Sequence, residues 1–264
     1  MQLVKPEGFE HWYEPSGKPA YGATLREARK QDLYGNVTGV CDMLAKPGLE
    51  TWKLNNAILS ALTLTRKDGE GLDDFAKRIV EDFQEEGKQA RARGEEVHNA
   101  IEAHIQGKPW IVEGELLKST KIACEWCDEH LTGENNCEVP AVNPMGFGGR
   151  IDFFGEMAGR KIIIDFKTQN IKGKKPKYYS TWKYQLAAYS MMTTAWDVDK
   201  KESYPINLSE YSIGNLVIST NADMPGVWFE EWDMRDFYAD TFINLFHVWC
   251  AEKNYWPNGT EAVA

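Results

Sequence analysis

Two carboxylates and a lysine in the middle of the chain have the types and spacing for metal-assisted hydrolysis. Asp152 closes the run Gly149-Arg150-Ile151-Asp152, and Asp165 and Lys167 follow Ile162-Ile163-Ile164 two positions apart. Side chains alternate along a strand, so Asp165 and Lys167 point to the same face. If residues 147–155 pair with 161–168 as a hairpin, Asp152 reaches the same spot. Two carboxylates and an ammonium then converge at a sheet edge, where they would hold a divalent ion with a lysine beside its water. Further on, Gln185 and Tyr189 stand four apart, on one face of a helix.

The surrounding pattern supplies the elements that must position these groups. Residues 1–22 read as an irregular lead-in, followed by short helices over 24–31 and 38–45. Pro47 opens a helix over 48–63. From 73 to 106 the apolar positions Phe75, Ile79, Val80 and Phe83, then Val97, Ile101 and Ile105, keep a helical period. Gly94 marks a kink or a close packing point between two helices there. A further helix spans 114–131. Strands are predicted over 137–143, 147–155 and 161–168, with a turn at 157–160. A helix over 178–195, a second hairpin from 211–220 and 227–232, and a closing helix over 236–253 complete the chain. Helices first, then a sheet crossed by a helix, is an α+β or mixed α/β arrangement. We read residues 1–264 as a single domain, with 1–135 mostly helical and 136–264 carrying the sheet and the motifs.

Composition bounds the possibilities. The chain has 264 residues, 42% apolar and 27% charged, as in ordinary globular proteins. No apolar run approaches the roughly 20 residues of a membrane span, and the N-terminus has no signal-peptide core. A cytoplasmic location, in a bacterial or phage-infected cell, is the expectation. The net charge of −10 argues against a polyanionic partner, but the distribution does not. Between residues 160 and 183, eight basic residues face one acid, Asp165. Lys172, Lys174, Lys175, Lys177 and Lys183 form a basic ridge suited to phosphates. Tyr178, Tyr179 and Trp182 either stack bases or pack the helix start.

The order strand–acid, strand–acid-x-lysine, helix–Gln-x-x-x-Tyr resembles the PD-(D/E)XK nuclease superfamily, and within it the RecB-like exonuclease branch with its phage and mitochondrial genome-maintenance members. Gly94-Glu95-Glu96-Val97-His98 is similar to the upstream histidine element of that branch, and Asn36-Val37-Thr38-Gly39-Val40 and Lys46-Pro47-Gly48-Leu49 to a lead-in of phage members. The resemblance covers roughly residues 35–190 and implies a restriction-endonuclease-like core: a central mixed β-sheet flanked by helices, with an N-terminal helical region. It implies metal-dependent hydrolysis of DNA, with Asp152 and Asp165, the Phe166 carbonyl and His98 holding Mg²⁺ or Mn²⁺, two ions in all. Lys167 would orient and help deprotonate the attacking water, for which burial would have to lower its pKa. Gln185 and Tyr189 would hold the substrate phosphate or Lys167 itself. Glu138 is either an extra acidic member or a plain strand-edge glutamate.

The expected activity is that of a single-strand-preferring exonuclease of recombination, repair or processing. N-terminal helices arching over the sheet would admit only a threaded DNA end. One alternative is a nucleic-acid-binding accessory protein of the same fold without turnover. Another is an iron–sulfur nuclease of the CRISPR-adaptation type. Cys124, Cys127 and Cys137 invite that reading, but only Cys250 lies beyond Tyr189 where the type needs three.

Overall fold

A computed structural model describes residues 11–173 and 175–259. The described chain forms a central mixed sheet flanked by helices on both faces. The N-terminal segment contributes β1 (Trp12–Tyr13), β2 (Pro19–Ala20), α1 (Leu25–Gln31), β3 (Tyr34–Asn36) and α2 (Val37–Cys41). Two short strands, β1 and β2, thus stand where an irregular lead-in was expected, and β3 falls between the two short helices expected after it. At two or three residues each, they are too short to show an alternating pattern. A Thr24–Glu27 capping box starts α1, and the Asn36 side chain caps α2 by accepting from the Gly39 N–H.

Two helices then form an arm, α3 (Pro47–Thr63) and α4 (Leu72–Ile105). The latter runs unbroken for 34 residues through Gly94. Instead of a kink, Gly94 gives close approach: a Cβ there would lie 3.0 Å from the Thr168 hydroxyl. Only the last third of α4 meets the sheet, through buried Val97, Ala100 and Ile101. Next come α5 (Leu117–His130), β4 (Leu131–Asn143), β5 (Phe147–Met157), β6 (Arg160–Gln169) and α6 (Ser180–Ser190). The helix expected to reach 195 stops at Ser190, because Thr194–Asp197 forms β7 and pairs with β8 (Glu202–Pro205) and β4. The chain closes with the hairpin β9 (Ser212–Ser219) and β10 (Val227–Trp232), then α7 (Arg235–Lys253).

The strand order is β10-β9-β6-β5-β3-β1-β2, with β4, β7 and β8 branching from β5. Strand β6 is antiparallel to β5 and parallel to β9. One apolar cluster, with Phe147, Ile163, Leu186 and Phe242, lies under α6 and α7. A second, with Phe153, Ile164, Phe166 and Ile101, lies under α4 and α5. Strands β5, β6 and β9 feed both clusters, as a sheet covered on both faces requires.

The pairing of β5 leaves a notch. Its β4 edge is paired along most of its length. On the other edge, Phe147 and Gly148 pair with β3, and Phe153 to Met157 pair with β6. Residues 149–152 between them have no strand partner on that edge.

Candidate active site

The notch collects the chemistry. The β5–β6 ladder ends at Phe153↔Ile164. Just beyond it the Asp152 carboxylate accepts the Phe166 backbone N–H at 2.9 Å. A side chain thus takes a donor that a continued ladder would have taken, which satisfies the backbone while holding the carboxylate in the gap. Across β4, the pairs Cys137↔Phe153 and Val139↔Ile151 bracket Glu138 opposite Asp152. Glu138 adopts φ 53°, a left-handed conformation inside a strand, and pairs with Arg150.

From the α4 side, His98 brings Nδ1 to 3.8 Å from the Asp152 carboxylate, with its ring edge-on to Phe166. His98, Glu138 and Asp152 each offer a ligand atom, and these atoms lie within 4.8 Å of one another. Two hard oxygens and an imidazole suit a divalent cation such as Mg²⁺ or Mn²⁺, so the residues present fit the metal the motifs imply.

Asp165 lies beside this group and is engaged elsewhere. It is buried, and Lys167 Nζ donates to it at 2.8 Å while the Asn215 amide donates to its other oxygen at 2.7 Å. Lys167 Nζ also donates to Gln185 Oε1 at 3.2 Å, and Gln185 Nε2 donates to the Tyr189 hydroxyl at 2.9 Å. At the far end, Trp232 Nε1 donates to Asn215 Oδ1 at 2.9 Å. A continuous chain of hydrogen bonds therefore runs Tyr189–Gln185–Lys167–Asp165–Asn215–Trp232.

Burial, with the neighbouring Asp152 charge, pushes the Asp165 carboxyl up to about 6 against the opposing pull of Lys167. Burial works against the Lys167 ammonium as well, but Asp165 and Asp152 prevail and hold its pKa above the ordinary value. The lowered lysine pKa that base catalysis needs is thus not what the two carboxylates produce. Lys167 is a fixed cation, 5.9 Å above the Trp182 ring. Tyr189 is raised well above the usual phenol range by burial, and it donates or accepts as a neutral hydroxyl. Gly149 makes room for it: a Cβ there would lie 2.5 Å from Tyr189 Cε1.

Asp152, Asp165, Lys167, His98, Gln185 and Tyr189 are therefore brought together, with the Phe166 backbone between the two acids. The basic residues are not gathered in the same way. Arg160 and Lys161 begin β6 at the end remote from Lys167 and pair with Glu231 and Glu210. Lys183 rests its ammonium 4.2 Å from the Trp232 ring centre. Lys172, Lys175 and Lys177 are exposed in the β6–α6 connection, and Lys174 lies outside the described residues. Burial pushes the Cys124 and Cys137 thiols up to about 12, so neither is a ready thiolate at neutral pH.

Sequence reasoning missed Asn215 and Trp232, which support Asp165 from β9 and β10. No local motif marks them. It left Glu138 open, and the bracketing register supplies what spacing could not.

No curated protein matches the chain. A model of the PD-(D/E)XK nuclease superfamily, whose members are mostly metal-dependent nucleases, matches residues 63–223. The match covers more than half of the chain and includes Asp152, Asp165, Lys167 and every group that converges on them except Trp232. It carries with it a nuclease-type function, a nucleic-acid substrate and use of a divalent metal. This chain belongs to the PD-(D/E)XK nuclease superfamily.

Proposed function

We propose that the protein is a metal-dependent deoxyribonuclease of the RecB-like branch, a single-strand-preferring exonuclease serving DNA recombination, repair or processing. The observation that carries this reading is the meeting of Asp152, Asp165 and Lys167 in one notch, with His98 reaching it from α4 and Gln185 from α6. Bound Mg²⁺ or Mn²⁺, as one ion or two, would supply a more acidic water and a Lewis acid for the phosphoryl oxygens. His98, Asp152 and Glu138 would hold it, joined by Asp165 and the Phe166 carbonyl.

Lys167 supplies positive charge where the phosphorane develops negative charge, and Gln185 fixes its ammonium. Tyr189 in turn fixes Gln185. The preference for single strands is supported by Trp182 and Tyr179, whose rings lie 5.1 Å apart beside Lys167. Tyr179 also reaches the start of α3 at Gly48, so the arm begins at the site's mouth. Lys172, Lys174, Lys175, Lys177 and Lys183 would track phosphates. We treat residues 1–264 as one nuclease domain.

Incubation of end-labelled single- and double-stranded DNA with Mg²⁺ or Mn²⁺ tests the reading. Metal-dependent products that vanish in Asp165→Ala are expected. Absence of products with either ion, or full activity in Asp165→Ala, would overturn it. A linear substrate compared with a circular one separates end-dependent from internal cutting.

A further inference from the structure

The notch opens into a cavity of about 700 Å³ that shares Gly149, Arg150, Asp152, Gln185 and Tyr189 with the site. Much of the remaining wall comes from residues 11–43, outside the segment matched by the superfamily model. Its volume is that of pockets that enclose small ligands. The floor is fixed and aromatic, because Trp12 is 1% exposed and packs on Trp249 and Tyr255. Tyr21 lines the cavity half-buried, with His11 edge-on to it at 5.4 Å.

A phosphodiester held at Asp152 has a nucleotide on each side. Trp182 and Tyr179 lie beside Lys167 and do not line this cavity, which reaches Asp152 directly. An aromatic ring stacks any base without regard to sequence. Arg150 stands two residues before Asp152 on the same face of β5, paired with Glu138 and within electrostatic reach of Tyr13 and Tyr21. Its planar fork suits a phosphate, and the lining adds Lys253 as a second cation against the carboxylates of Asp42 and Asp152.

We propose that this cavity is a nucleotide subsite. It seats the nucleotide next to the scissile phosphate, with the base against Tyr21 and the phosphate toward Arg150. The proposal rests on the nuclease reading for its purpose but not for its measurement. A nucleoside monophosphate should bind here even when no metal is present.

Calorimetry with dTMP, dAMP and deoxyribose 5-phosphate, in EDTA on the full chain, tests it. Both nucleotides should bind the native chain, and deoxyribose 5-phosphate, lacking a base, should bind more weakly. Tyr21→Ala should weaken nucleotide binding about fivefold or more, whereas Tyr21→Phe should keep it. Thr38→Trp, which fills the cavity from its exposed rim, should abolish it, with circular dichroism checking that each variant is folded. Asp165→Asn should leave nucleotide binding intact while removing cleavage. Unchanged affinity in both Tyr21→Ala and Thr38→Trp, or no binding to the native chain at millimolar nucleotide, would overturn the proposal. Binding in the cavity without any cleavage of DNA by the native chain would instead leave the subsite standing and remove the nuclease reading.

Discussion

The Asn215 amide donates to Asp165 twice, to the carboxylate at 2.7 Å and to the backbone carbonyl at 3.1 Å. One side chain from β9 thus fixes both the acid and its strand. Trp232 orients that amide by donating to its oxygen. Asn215→Ala leaves a buried carboxylate short of a donor and should cost about 1–3 kcal/mol in urea unfolding. Trp232→Phe should cost less, because it removes only the orienting bond. If Asn215→Ala is as stable as the native chain, Asp165 does not depend on it.

Lys167→Met should lower cleavage by about 10²–10³-fold, the usual loss when a charge-stabilising group is removed. Because His98, Glu138 and Asp152 remain, Mn²⁺ binding measured by calorimetry should persist. Loss of metal binding together with activity would mean that the lysine supports the metal centre.

Glu138→Gln keeps shape and removes charge. If Glu138 holds the metal, Mn²⁺ affinity should fall about tenfold or more. Arg150→Gln breaks the same ion pair while keeping the carboxylate, so its affinity should not fall with it. Equal losses in the two variants would assign Glu138 to structure alone.

Gly149→Ala drives a methyl group into Tyr189. Overpacking of this kind costs about 1–3 kcal/mol, and the displaced ring would release Gln185 from its hydroxyl. A lower melting temperature with reduced cleavage is expected. A variant indistinguishable from the native chain in both would show that the contact yields freely.

The raised carboxyl of Asp165 has a consequence for stability in the absence of divalent ions. Its folded pKa, about 6, lies above its ordinary value of 3.8, so the native state binds the proton more tightly than the unfolded chain does. That contribution is full below the unfolded pKa and declines as pH rises through about 6. In EDTA, the melting temperature of the native chain should therefore fall between pH 4 and 6 relative to Asp165→Asn. Parallel pH profiles for the two proteins would refute the shift.

The sheet core was legible because its hairpin is long and apolar. Ile162-Ile163-Ile164 and Ile151-Asp152-Phe153-Phe154 are each followed or preceded by turn residues, and the Asp-x-Lys spacing follows from strand alternation alone. Gln185 and Tyr189 were legible for the analogous helical reason. Strands β1 to β3 were not, since two or three residues show no period. The start of β7 was absorbed into the helix preceding it, and the four-residue β8 is too short to show a period. Asn215 was hidden by topology. It lies 50 residues from Asp165 and reaches it only because β9 runs parallel to β6. The notch itself is a property of which strands share an edge, and no stretch of sequence encodes that by itself.

The unbroken length of α4 makes it a lever. From Leu72 to Gly94 it projects about 33 Å, and from Gly94 to His98 about 6 Å, at the usual helical rise. Gly94, where a Cβ would press on Thr168, marks the division between the two lengths. Were the helix to pivot at Gly94, the His98 ring would move roughly a fifth as far as the tip of the arm. Such a pivot would gear the imidazole down, turning a large displacement of the arm into a fine adjustment at the acids.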